Sequence, residues 1–450
     1  MNKKFLVFLI IAALGGGGYY YWHTQLSSSF LTQDQIKIDD EEYQVLSKEE
    51  MEDIGLELRM IPNKDNAAIL YAEATNKFVE PKGEMVDKLI YVAENKWPKR
   101  KSFSDWYSKN KECLKILHQA VEKDDCQFPY FSDDIDNIKG LLLPYLEIMR
   151  SFSRLLAVEG KRYESKEDYS KAIDSYLAVG KLSEHLLKSE KTLISHLVYC
   201  AIRNHMNRPL EMLMANTELS EDDLRRIIQE YERLQDWIPE VQDCLEEDKL
   251  LVEQLIEEGL QNPQTLRHIK DLSDREKELV RRLGPQMRQT YEESYKVLEK
   301  WLELPVWVAF APQNKMTVYL DGLGDRGLLS RMFISSYEKA RLQYSIMEAL
   351  DRGVIIFTAV KLYEKEKGHP PRTLKELELG SYLSSLPKDP FSGKDYIYRT
   401  NGREWIFYSV GVNLTDDGGS DQMPHNPRSE GGDKDFVWWS KGIPYEKYRW

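Results

Sequence analysis

The chain is poor in the residues that most often carry chemistry. It has four cysteines and eight histidines in 450 residues and no excess of positive charge. Cys113, Cys126, Cys200 and Cys244 fit no zinc-ligand spacing. They leave two readings open: disulfides, with Cys113 and Cys126 closest in sequence, or free buried thiols. A formal net charge of -13 without a basic cluster argues against nucleic acid, whose phosphates need a cationic surface. A mean hydropathy of -0.56 with 30% charged residues excludes a multi-span membrane protein. No His-Glu-x-x-His or Gly-x-Ser-x-Gly occurs. His185, His196 and His205 share a helical region, but the first two lie about 16 Å apart along the axis and the third points the other way.

One nucleotide-like motif is present. Gly322-Leu323-Gly324-Asp325-Arg326-Gly327 follows a strand-like Met316-Thr317-Val318-Tyr319-Leu320. A dinucleotide site also needs a second parallel strand ending in an acidic residue some twenty positions on. Glu348 has that spacing but lies in a helical pattern, so a glycine-rich connector is expected and no nucleotide.

Met1-Asn2-Lys3-Lys4 precedes an apolar run from Phe5 to Leu14, followed by four glycines and Tyr19-Tyr20-Tyr21-Trp22. As helix, residues 5–22 span about 27 Å, enough to cross a bilayer with an aromatic end at the interface. Residues 1–23 therefore read as a membrane anchor, the lysines inside and the body outside the cytoplasm. The alternative is a signal peptide cleaved near Ala13 and Gly15, leaving a secreted or periplasmic chain. Residues 24–46 read as a polar linker.

From 47 to 335 the pattern is that of a multi-helix body. Ser47-Lys48-Glu49-Glu50, Ser165-Lys166-Glu167-Asp168, Ser220-Glu221-Asp222-Asp223 and Ser273-Asp274-Arg275-Glu276 each have the spacing of a capping box that starts a helix. Ser220 to Leu260 is expected as one long helix bent at Pro239. Gly160, Tyr163, Ala172 and Tyr176 alternate small and aromatic residues at the spacing of a close helical hairpin, and in that window the chain resembles a tetratricopeptide repeat. The next 34 residues do not repeat the pattern, so a single hairpin within an irregular helical domain is expected.

The last segment, 336–450, is patterned differently. A helix carrying Met347, Leu350, Val354, Phe357 and Leu362 meets Gly368 and Pro370-Pro371, which end it. Thr373-Leu374-Lys375-Glu376 opens a short helix that Gly380 closes. Runs at Tyr396–Arg399 and Trp405–Tyr408 flank Asn401-Gly402 as a β-hairpin. Asp416, Asp417, Asp421, Asp433 and Asp435 then fall among four glycines. Calcium needs about six to eight oxygen ligands and a backbone that folds around it, which this composition supplies. A solvated acidic turn uses the same residues. An EF-hand is excluded, because counting from Asp433 its glycine and glutamate positions hold Trp438 and Pro444.

Residues from about 340 to 439 resemble the globular part of the type II secretion major pseudopilin. The motifs that carry this are Lys-Gly-His-Pro-Pro, Thr-Leu-Lys-Glu-Leu, Leu-Pro-Lys-Asp-Pro-Phe, Tyr-Ile-Tyr-Arg, Phe-Tyr-Ser-Val-Gly and Asp-Asp-Gly-Gly, in that order. The resemblance implies a calcium-binding loop with Asp416, Asp417, Asp433 and Asp435 as ligands, Asp421 beside them and the Leu414 carbonyl as a helper. A true pseudopilin begins with a cleavable Gly-Phe junction and has a glutamate five residues into the mature chain, and neither is present here. The expected fold is mainly α, an irregular multi-helix body with a small α+β pseudopilin-like module. The expected function is that of a membrane-anchored extracytoplasmic scaffold or interaction protein, with protein partners in the cell envelope beside secretion machinery. The alternative is an extracytoplasmic hydrolase with carboxylates in a cleft of the body, although the sequence marks no catalytic residue.

Overall fold

The computed structural model describes residues 35–38, 41–45, 61–83, 101–129, 131–132, 145–189, 191–235, 240–263, 272–419 and 435–440, with Met85, Leu89 and Trp97 between them. The anchor expected over 1–23 and the Ser47 box lie outside these residues. Among those described, no helix is long and apolar enough to cross a membrane.

The chain order is β1 (Gln35–Ile38), β2 (Glu41–Val45), α1 (Ala67–Lys77), α2 (Lys101–Lys109), α3 (Lys111–Val121), β3 (Phe131–Ser132), α4 (Tyr145–Glu164), α5 (Tyr169–Ser189), α6 (Leu193–Asn216), α7 (Glu221–Gln235), α8 (Leu245–Gln261), α9 (Asp274–Leu302), α10 (Val306–Ala309), α11 (Met316–Gly322), α12 (Leu328–Lys367), α13 (Lys375–Leu379), β4 (Ile397–Thr400), β5 (Trp405–Ser409) and β6 (Phe436–Trp439). The fold is mainly α with a small antiparallel sheet, β4-β5-β6, near the end of the chain.

Two buried apolar clusters divide the molecule. The first gathers α1 to α7, the second half of α12 and the β4-β5-β6 sheet. The second gathers the start of α6, α8 to α11 and the first half of α12. The 40-residue α12 serves both cores, and its stretch from Gly353 to Val360 is buried without a break, so every face of the helix is covered there. It runs unbroken through residue 336, where the body is expected to meet the module, and ends at Gly368, whose φ of +76° is the left-handed cap.

Polar ties fix the helices within these cores. Arg203 on α6 is fully buried and pairs with Asp351 on α12 at 2.7 Å, Asn207 donates to the same carboxylate at 2.5 Å, and Tyr231 on α7 donates to Asn207 at 2.6 Å. Arg341 of α12 donates to the Trp301 and Leu304 carbonyls and lies 4.8 Å over the Trp301 ring, so a cation satisfies the C-terminus of α9. In the α4/α5 hairpin a Cβ on Gly160 would sit 2.2 Å from the Tyr176 ring, so only glycine permits this approach.

Several expectations are corrected. The linker over 24–46 contains β1 and β2, which pair antiparallel and join β3. Ile36 and Ile38 alternate with Gln35 and Lys37 over a run too short to stand out from a polar segment. Met316–Leu320 is helical rather than a strand: Met316 and Leu320, four apart, are buried while Val318 is 53% exposed, so burial at helical spacing overrides the β-propensity of Thr, Val and Tyr. The glycine motif after it is the end of α11 and a 3-10 turn, Gly324–Gly327, which removes the strand a dinucleotide site requires. Ser220–Leu260 is two helices, α7 and α8, with a 3-10 turn at Val241–Cys244. Ser273 and Glu276 make the reciprocal box, and Ser220 accepts from Asp223 N. Ser165 instead donates to Arg162 O within the α4–α5 turn, where Glu167 has a φ of +62°. At α13 the cap residue is Leu374, and Glu376 accepts from Arg372 N in place of a Thr373 box.

Candidate functional site

The acidic loop hangs from the end of β5. The hairpin before it closes through a four-residue loop in which the Asn401 side chain accepts from Arg403 N and Glu404 N, and Gly402 takes a φ of +87°. Where β5 ends, the buried Asp389 collects four donors. Its Oδ1 accepts from Ser409 Oγ at 2.7 Å and Phe391 N at 3.0 Å, and its Oδ2 from Ser392 Oγ at 2.8 Å and Val410 N at 3.2 Å. The Lys388-Asp389-Pro390 turn thus fixes the point from which the loop leaves the sheet.

Beyond that point the chain bends at Gly411, Leu414, Gly418 and Gly419, all at positive φ. Gly419 is seated on the Tyr408 ring, where a Cβ would come within 2.6 Å. Asp416 Oδ1 accepts from Tyr408 Oη at 3.0 Å and Gly418 N at 2.9 Å, while Arg399 donates to the same phenol oxygen at 2.7 Å. Asp417 accepts from the Asn413 amide at 2.8 Å. Asp435, the residue before β6, reaches across to accept from Asp417 N at 3.2 Å and Gly419 N at 2.7 Å. Burial, aided by the charges of Asp417 and Asp416, pushes the Asp435 carboxyl above its ordinary pKa against the pull of those two N–H donors.

Asp416, Asp417 and Asp435 are therefore brought to one loop, each already held by a partner within it. Asp421 and Asp433 lie outside the described residues. Among those described, no group of three or more His, Cys, Asp or Glu is placed to hold a metal ion. The carboxylate oxygens of Asp416, Asp417 and Asp435 are of the type that suits a hard cation such as calcium, and Leu414, the expected helper, bends the same loop at a φ of +60°.

Elsewhere, among the described residues, three histidines and one cysteine have structural partners. His185 lies between Tyr71 Oη at 2.8 Å and Lys123 O at 2.9 Å, and burial pulls its pKa down to about 4. His205 meets Ser153 Oγ at 2.8 Å, and His196 meets Cys244 Sγ at 2.9 Å. All four cysteines are buried and none is joined in a disulfide, so the disulfide alternative fails. An open cavity of about 590 Å³ is lined by Ile61, Pro62, Asp65, Glu122, Lys123, Asp124 and Asp125.

Sequence reasoning missed two polar groupings. His118 on α3 meets Glu159 on α4 at 2.5 Å, and Ser175 on α5 donates to the same carboxylate at 3.1 Å. The hydrogen bond that His118 donates to Glu159 raises the His118 pKa. The second grouping sets Glu211 of α6 against Trp438 of β6. These partners are separated by 16 to 227 residues. Neither grouping has a local signal that periodicity or spacing would have revealed.

The chain matches no known protein-family profile, no curated protein and no solved structure.

Proposed function

We propose that this is a membrane-anchored extracytoplasmic scaffold or interaction protein whose pseudopilin-like tail is stabilised by calcium, working with protein partners of the cell envelope beside secretion machinery. The observation that carries this reading is the use of ionisable residues inside the body. Arg203, Asp351, Arg341, Glu159 and Glu211 each hold one element to another, as the interior of a rigid platform requires. Anchorage rests on the apolar run over residues 5–22, and the tail's assignment on its ordered motifs. Asp416, Asp417 and Asp435 would hold the ion together with Asp421 and Asp433, and the cation would offset the repulsion among these carboxylates.

The test is crosslinking in intact cells, followed by membrane isolation and identification of the crosslinked species. The reading expects the chain in the membrane fraction, its body accessible to protease from outside, joined reproducibly to envelope proteins. Recovery in the cytosolic fraction, or no crosslinked envelope protein, would contradict it.

A further inference from the structure

The tail strand is keyed into the helical body by one side chain. Trp438 of β6 stacks on Phe407 of β5 with ring centroids 5.0 Å apart and planes 6° from parallel. The far edge of its indole lies against Gly353 of α12, where a Cβ would come within 2.0 Å. Its N–H donates to Glu211 Oε1 on α6 at 2.9 Å. Glu211 is 2% exposed. Its other oxygen faces Arg208, one turn back on α6, at 3.5 Å. From α12 the nearby charge is Asp351, itself paired with Arg203. One good hydrogen bond and one long ion pair with Arg208 only partly replace the water that a carboxylate loses in so dry a place.

We propose that Glu211 and Trp438 form a proton-sensitive latch, by which a single buried carboxyl in the helical body governs how firmly the last strand is seated. With β6 seated, Glu211 is cut off from water and its neutral form is favoured. Burial raises its pKa, partly offset by Arg208 and Trp438 and reinforced by the charge of Asp351. With β6 lifted away, water reaches the carboxyl and its ordinary pKa returns. Seating is therefore firmest below the ordinary glutamate range and weakens as pH rises through the raised value. Because Asp435 fastens the acidic loop to the same strand, the latch also sets how well that loop is held.

Amide hydrogen exchange of the full chain in detergent tests this without added calcium. Protection of Phe436 to Trp439, corrected for intrinsic exchange, is expected to fall by up to about tenfold per pH unit above the ordinary glutamate pKa, then level off once Glu211 ionises in place. Glu211→Gln should remove that part of the slope and leave the strand protected, since the amide still accepts from the indole. Asp435 is unchanged in both proteins, so its own titration cancels in the comparison. Trp438→Phe keeps a ring on Phe407 but lacks the donor, and should lower strand protection at every pH while α9 amides hold theirs. An identical slope in wild type and Glu211→Gln, or a Trp438→Phe strand as protected as wild type, would overturn the proposal.

Discussion

The buried ion pair of Arg203 and Asp351 shows how much hangs on single side chains here. Both residues are almost fully removed from water, so loss of one leaves the other as an uncompensated charge. Asp351→Ala is expected to cost about 3–5 kcal/mol in chemical denaturation, whereas replacing both partners by Met and Leu should recover much of that loss. The His118–Glu159 pair makes a prediction in pH. Its folded pKa is raised, so its stabilisation is full below the ordinary histidine value and is lost as pH rises through the folded one. An NMR titration should place His118 above 6.5, the ordinary value, and Glu159→Gln should bring it back. Neither grouping was legible in the sequence. Arg203 and Asp351 are 148 positions apart, and a lone Arg and Asp in an acidic chain look like solvated surface until the fold brings them together.

Among elements, the features that read correctly were those with a cause inside a few residues. Ser273 and Glu276 satisfy each other's backbone at the start of α9, and Ser273→Ala should lower thermal stability by about 1 kcal/mol. Gly368 ends α12 because only a left-handed residue can turn the chain there. The errors came where a wider context decides. The Ser165 spacing matches a box, yet α5 opens only at Tyr169, after a turn through Glu167. Thr317, Val318 and Tyr319 favour a strand locally, but burial of Met316 and Leu320 makes α11 a helix. In the tail, the hairpin was legible from Asn401-Gly402 and the alternating aromatics, while β6 was not, because its partner β5 precedes it by some thirty residues. Gly353→Val tests how β6 is fitted: the added side chain would meet the Trp438 ring and should lower the melting temperature without altering the helical content seen by circular dichroism.

At the scale of the whole molecule, α12 joins the two cores, and the tail sheet is packed into the first of them rather than set apart from it. The acidic loop and the helical body therefore meet at β6, the loop through Asp435 and the body through Trp438. Of the candidate site, the residue types and their order were legible in the sequence. Their present partners, Tyr408 for Asp416, Asn413 for Asp417 and two backbone amides for Asp435, were not, since these depend on where β5 and β6 release the chain. The most direct measurement is the thermal unfolding of the protein in calcium and in chelator, alongside Asp417→Ala. That variant is preferred to Asp435→Ala because the Asp435 carboxylate also fastens two backbone amides. An ion that binds the folded loop must raise its stability by mass action, about 2.7 kcal/mol at a hundredfold excess over Kd. The melting temperature should rise in calcium, return to its starting value in chelator and stay unmoved by either in Asp417→Ala, whereas superimposable wild-type curves in calcium and chelator would contradict the account.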